Sequence, residues 1–235
     1  MNQVTASLKA INARIAEAEA RFGRAPGAVT LLAVSKTQPP EAVEEAARAG
    51  QQAFGENHLQ DAMTKLGPLA ELDLEWHFIG PMQSNKTRPI AERFDWVHSV
   101  DRLRVAERLS TQRGSDRAPL SVCLQVNVSA EASKSGVSPA NISALAADVA
   151  ALPNLTLRGL MAIPAPVDGF ESQRKALRPL VEIYERLRAE GHPLDTLSMG
   201  MTDDLEAAIA EGATIVRIGT AVFGPRRSPA QGLHR

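Results

Sequence analysis

Residues 31–37 read Leu31-Leu32-Ala33-Val34-Ser35-Lys36-Thr37. Four apolar residues form a short buried strand, and Pro39 and Pro40 stop it soon after. The strand delivers one lysine to its carboxyl end, which is where a barrel or an open α/β sheet presents its chemistry. A lysine beside apolar walls loses hydration of its charged form, so its pKa falls and the amine becomes a nucleophile. Taken alone, Lys36 reads equally well as the first solvated residue after a strand.

The rest of the chain supplies the context. Strand-like runs occur at 29–34, 52–54, 75–79, 95–98, 120–127, 155–161, 195–198 and 214–218. Helical stretches lie between them, at 40–49, 57–66, 83–93, 102–113, 139–151, 171–190 and 203–211. An amphipathic helix over 3–22 precedes the first strand, with Val4, Leu8, Ile11 and Ile15 on one stripe. Asp101 is read as the N-cap of the helix at 102. Ser138 with Pro139 is read as the start of the helix at 139. Pro179 predicts a kink or break in the stretch 171–190. Strands alternating with helices demand parallel pairing through crossovers. Eight such units fit a single-domain α/β TIM-type (β/α)8 barrel, for which ~250 residues is typical. The rival is a doubly wound open sheet, and the first strand is followed by no GxGxxG. The barrel is expected to occupy 1–225, with a polar tail at 226–235.

With 26 basic and 27 acidic residues the charge is balanced, and nine residues are aromatic (six Phe, two Trp, one Tyr). Both facts argue against nucleic acid and anionic membrane as partners. Cys123, the one cysteine, sits in an apolar run and fits a reducing cytoplasm. The first helix has no signal-peptide h-region, and no stretch is long and apolar enough to span a membrane.

The strand ends carry Lys36, Glu56 with Asn57, His77 with Gly80, His98, Asn127, Met161, Ser198–Thr202 and Arg217–Thr220. The loops after the seventh and eighth strands of a barrel are its usual phosphate site. There, Ser198-Met199-Gly200-Met201-Thr202 and Gly219-Thr220 offer small residues, backbone N–H groups and hydroxyls. Arg217 lies between apolar neighbours and must be paired, either with a barrel carboxylate or with a ligand. A Schiff-base lysine, a phosphate cradle and an arginine for a ring nitrogen are the parts of a pyridoxal phosphate site.

The motifs AVSKT (33–37), FGEN (54–57), WHFIG (76–80) with QSNK (83–86), HSVD (98–101), SKSG (133–136), GLMAI (159–163), SMGM (198–201) and RIGTAVFG (217–224) occur in this order. As a set they resemble the pyridoxal phosphate homeostasis protein family, also called the proline synthase co-transcribed family. Met82 stands where that family usually has leucine, and Thr202 where it has serine. The resemblance implies a barrel like the N-terminal domain of alanine racemase. It implies pyridoxal 5′-phosphate as cofactor, bound as an imine to Lys36. Ser198, Gly200, Gly219 and Thr220 would hold the phosphate, Arg217 would face the pyridine nitrogen, and Asn57, His77 and Met161 would line the ring.

Two functions follow from that resemblance. The first is a carrier or buffer of pyridoxal phosphate in intracellular cofactor homeostasis, without efficient catalysis and with transient contact to cofactor-dependent apo-enzymes. The second is a weak amino-acid racemase. A racemase of this fold needs a second acid/base group opposite the lysine, typically a tyrosine from a second domain. The one tyrosine here, Tyr184, is expected on the barrel's outside, and no second domain is expected after the barrel. An arginine at the ring nitrogen would also weaken the cofactor as an electron sink. An ordinary phosphosugar barrel using Lys36 is the third possibility. Lys134 is a candidate transient acceptor of the cofactor, Lys86 is read as solvated, and Glu56 is a candidate partner for Arg217. The five histidines show no metal-ligand spacing. A monomer is expected.

Overall fold

A computed structural model describes residues 3–129 and 135–225. Eight parallel strands close in sequence order, with the first strand hydrogen-bonded to both the second and the last. They are β1 (Thr30–Val34), β2 (Ala53–Glu56), β3 (Glu75–Phe78), β4 (Trp96–Val100), β5 (Leu120–Gln125), β6 (Leu155–Met161), β7 (Thr196–Ser198) and β8 (Ile215–Ile218). The helices are α1 (Gln3–Arg21), α2 (Pro40–Arg48), α3 (Leu59–Leu66), α4 (Thr87–Arg93), α5 (Leu103–Gln112), α6 (Ile142–Ala150), α7 (Phe170–Ala189), α8 (Leu205–Ala210) and α9 (Thr220–Phe223). The (β/α)8 expectation holds, including the extra N-terminal helix α1.

Apolar packing falls into two layers because successive strand residues point to opposite faces. On β1, Leu31 and Ala33 join the large core under the helices. Leu32 belongs instead to a small cluster with Ala53 and Ile215, and Trp96, Cys123 and Met161 form a third. These two minor clusters lie inside the barrel. The Cys123 thiol is fully buried there, and burial pushes its pKa up to about 12.

Three local expectations are corrected, and one element is added. Helix α6 begins at Ile142, not at 139, because Val137 is held in an extended bridge to β5 and residues 139–141 form a turn. The Asp101 carboxylate does not cap α5; Arg102 takes the N-cap position and pairs with it at 2.6 Å. Pro179 does not break α7, which runs as one 20-residue helix. The one bond lost at proline is outweighed by the buried stripe Leu177, Leu180, Ile183, Tyr184 and Leu187. The short helix α9 was not expected at all.

No helix among the described residues is long and apolar enough to cross a membrane. The 226–235 tail and Lys134 lie outside the described residues.

Candidate functional site

A cavity of about 250 Å3 opens at the carboxyl ends of the strands. Its lining includes Lys36, Asn57, Ile79, Thr202, Arg217 and Thr220. Lys36 therefore meets the ends of β2, β3, β7 and β8 at one mouth, as its position after β1 predicted. The Asn57 amide oxygen is buried and has no hydrogen-bond partner. Gly80 makes that placement possible. A Cβ on it would lie 1.8 Å from the Asn57 carbonyl oxygen, so only glycine lets the loop after β3 pass the loop after β2.

A buried ionic cluster braces the residues on both sides of Lys36. Glu56, at the tip of β2, accepts from the Ser35 hydroxyl at 2.6 Å and from Lys65 Nζ at 2.7 Å. Lys65 reaches in from α3 and also donates to the Ser35 carbonyl (2.8 Å) and to Asp61 (2.9 Å). Asp61 in turn accepts the Thr37 backbone N–H at 2.6 Å. Thr37 sits at φ +63, in the left-handed region that non-glycine residues avoid. Desolvation raises the Glu56 pKa to about 7, against the opposing pull of Lys65 and Ser35. Lys65 and Asp61 escaped the sequence reading because an i, i+4 Lys–Asp pair on a helix normally marks a solvated face.

Glu56 thus pairs with Lys65, not with Arg217. The Arg217 guanidinium is buried on β8 and donates to Ser198 Oγ (2.8 Å) and to the Ala162 carbonyl (2.9 Å). Burial pulls its pKa down to about 10, so it stays charged at neutral pH.

Three expected site side chains do not face the mouth cavity. Ser198 Oγ points into the barrel, where it meets Arg217 and, at 2.8 Å, His98 Nδ1. His98 Nε2 lies 2.9 Å from His77 Nδ1, and His77 Nε2 lies 2.5 Å from Glu75. His77 lines a second cavity of about 730 Å3 at the opposite end of the barrel, together with Trp96, Arg158 and Asp195. There it stacks on Trp96, with ring centroids 5.3 Å apart. Met161 packs below the mouth, fully buried with Trp96 and Cys123. All three side chains turn into the barrel below the mouth, and His77 sits deep enough to reach the opposite cavity.

The loop after β7 is shaped by Gly200, at φ +93, where a Cβ would sit 2.4 Å from Ala208 Cβ. The next backbone N–H, of Met201, donates to Asp204 at 2.6 Å. From outside, Arg14 on α1 donates to the Thr202 carbonyl and to Glu206. Thr202 itself faces the cavity. Gly219, across the mouth, packs at the end of β1 and leads into α9. The first N–H groups of such a helical turn have no partner within the helix. Lys86 is exposed on the turn Ser84–Lys86.

Comparison with known proteins places this geometry. The model of the alanine racemase N-terminal domain matches residues 6–227. A pyridoxal phosphate homeostasis protein of Pseudomonas aeruginosa is 59% identical over 226 residues, covering 96% of this chain and 97% of that one. The Escherichia coli protein of the same name is 51% identical over 229 residues, covering 96% and 98%. Among solved structures, PipY of Synechococcus elongatus with PLP bound superposes with a TM-score of 0.77 at 38% identity. That match covers 89% of this chain and all of PipY. Alanine racemase of Corynebacterium glutamicum shares the fold alone, with a TM-score of 0.67 at 19% identity over 63% of its length. The chain belongs to the alanine racemase N-terminal domain family and, within it, to the pyridoxal phosphate homeostasis proteins.

Proposed function

We propose that this protein binds pyridoxal 5′-phosphate at the mouth of the barrel and acts in intracellular cofactor homeostasis, as a carrier or buffer without efficient catalysis. One observation carries the reading: Lys36, buried Arg217 and the unpartnered Asn57 amide oxygen line one small cavity. These residues fit the cofactor. Lys36 offers a primary amine for a Schiff base with an aldehyde. Arg217 offers a fixed cation for the ring nitrogen. Gly219, Thr220 and Thr202 offer backbone and hydroxyl donors for the phosphate, with Gly200 shaping the loop. Ser198 contributes through Arg217, because its hydroxyl is engaged inside the barrel. When bound, the cofactor supplies an electron sink. The chain's own residues hold it covalently, set the charge at its nitrogen and limit water access.

The carrier reading is favoured over a racemase by the position of the one tyrosine. Tyr184 is buried on α7, and its hydroxyl donates to the Leu194 carbonyl at 3.0 Å, away from the mouth. Among the described residues the mouth sets Lys36 with Asp203 and faces no phenol, so the tyrosine expected opposite the lysine in a racemase of this fold does not stand there. The reading extends to a cytoplasmic monomer that meets cofactor-dependent apo-enzymes transiently, supported by the chain's balanced charge.

The test is an absorbance spectrum of the purified protein, with and without added pyridoxal phosphate, for wild type and Lys36→Ala. Wild type is expected to show a visible band that the variant lacks. A wild type without that band refutes cofactor binding at Lys36. Rapid α-proton exchange on added alanine would refute the carrier reading while leaving binding intact.

A further inference from the structure

A hydrogen-bonded file of side chains crosses the barrel interior from one end to the other. It runs from Arg217 through Ser198 Oγ (2.8 Å), His98 Nδ1 (2.8 Å) and His77 Nδ1 (2.9 Å from His98 Nε2) to Glu75, 2.5 Å from His77 Nε2. Its two ends differ in kind. Arg217 borders the mouth cavity, while the Glu75 side chain is 49% exposed and borders the opposite cavity.

The chemistry of the ends dictates every proton between them. Arginine can only donate, and an ionised carboxylate can only accept. Hydrogen bonding to His77 holds the Glu75 carboxyl below its usual range, so it is ionised at neutral pH. Burial disfavours the charged form of both histidines, most strongly His98. His77 must then carry its proton on Nε2, facing Glu75, which leaves Nδ1 as an acceptor. His98 must donate from Nε2 and accept at Nδ1. Ser198 must donate its hydroxyl proton to His98 and accept from Arg217. All four bonds point from the arginine to the carboxylate, and no member is left with two facing acceptors or two facing donors.

We propose that Glu75, His77, His98 and Ser198 are positioning residues that fix the Arg217 guanidinium from the far end of the barrel through this one-way chain. The guanidinium has no carboxylate within ion-pair distance among the described residues. The Asp204 carboxylate attracts it through space, and Glu75 acts on it only through the aligned dipoles of the chain. The same chain holds Ser198 Oγ as an acceptor, so Arg217 is presented to the mouth in one orientation. The importance of that orientation rests on the cofactor reading above; the chain itself does not.

The test begins on the apoprotein. Two-bond 15N–1H correlation spectra of the histidine rings, at neutral pH, should show both His77 and His98 protonated on Nε2. In Glu75→Ala, at a half-exposed position that tolerates truncation, His77 should repopulate its Nδ1–H form and His98, one link further away, should shift with it. Pyridoxal phosphate binding to Glu75→Ala should weaken about fivefold, the low end of a site-to-site coupling. A wild-type His98 protonated on Nδ1, or a His98 tautomer indifferent to Glu75→Ala, overturns the chain. Shifted tautomers with unchanged affinity overturn the positioning role. If wild type takes up no cofactor, the cofactor reading fails and the apoprotein spectra still decide the chain.

Discussion

The Asp61 carboxylate accepts the backbone N–H of Thr37 at 2.6 Å, fixing the residue after Lys36 in a left-handed conformation. A β-branched residue there costs roughly 1–2 kcal/mol, and the hydrogen bond offsets part of it. Asp61→Ala is expected to lose about 1–3 kcal/mol in urea unfolding, since it strips a partner from Thr37 and from buried Lys65. Pyridoxal phosphate should also form its visible band more slowly in this variant. Thr37→Gly tests the strain from the other side and should leave stability unchanged or higher. A large loss of stability in Thr37→Gly would show that the threonine is not strained.

Glu56 gives a pH signature. Its carboxyl is raised by burial from 4.5 to about 7, so the folded state holds a proton that the unfolded chain has released. The stabilisation this provides is full below pH 4.5 and disappears as pH rises through 7. Across that window wild type should lose up to about 3 kcal/mol relative to Glu56→Gln. Unfolding curves of both proteins at pH 5, 6, 7 and 8 measure it, and parallel stabilities would show that Glu56 is ionised throughout. Glu75, Asp195 and Glu211 shift the opposite way. Their contribution is present above the ordinary carboxylate range and lost only on acidification below it.

Gly80→Ala should be among the most damaging single-methyl changes in the protein. The added Cβ meets the Asn57 carbonyl oxygen, which belongs to backbone and cannot swing aside. Overpacking of this kind costs about 1–3 kcal/mol, and here it also displaces Asn57 from the mouth. Weakened cofactor affinity together with a lowered melting temperature is expected. A normal affinity would show that the Asn57 position is not critical.

Much of this was readable from residue order. Strand-like runs of three to eight residues, alternating with helical stretches, specify eight strands, and the closed barrel follows from their number. Lys36, Asn57 and Arg217 share the mouth because each stands at the end of such a run. The reading failed where a side chain's direction mattered. Ser198 and His77 turn inward below the mouth, and His77 reaches the opposite cavity, so both belong to the interior chain. The clamp around Lys36 was invisible for another reason. Lys65 and Asp61 are four residues apart on α3, and only the docking of that helix against β1 and β2 buries the lysine. The start of α6 was misplaced because Ser138-Pro139 mimics a helix start, while the bridge from Val137 to Val126 keeps the preceding chain extended.

Tyr184→Phe separates the two functional readings with a mild change. The lost bond to the Leu194 carbonyl should cost about 1 kcal/mol in stability. Cofactor binding should be unchanged, and any trace of α-proton exchange should persist at the wild-type rate. A drop in exchange would make the phenol a participant in catalysis.

The pairing of β1 with β8 has a consequence for synthesis on the ribosome. Strand β1 emerges first, and its open edge finds its partner only when Ile215–Ile218 has been translated. Until then the nascent sheet presents an unpaired edge of the kind that chaperones cover. Arg217 is carried by that last strand, and Thr220 follows it. A nascent chain that already exposes Lys36 therefore lacks its cationic and hydroxyl partners, and the ability to sequester a ligand is acquired in a single late step.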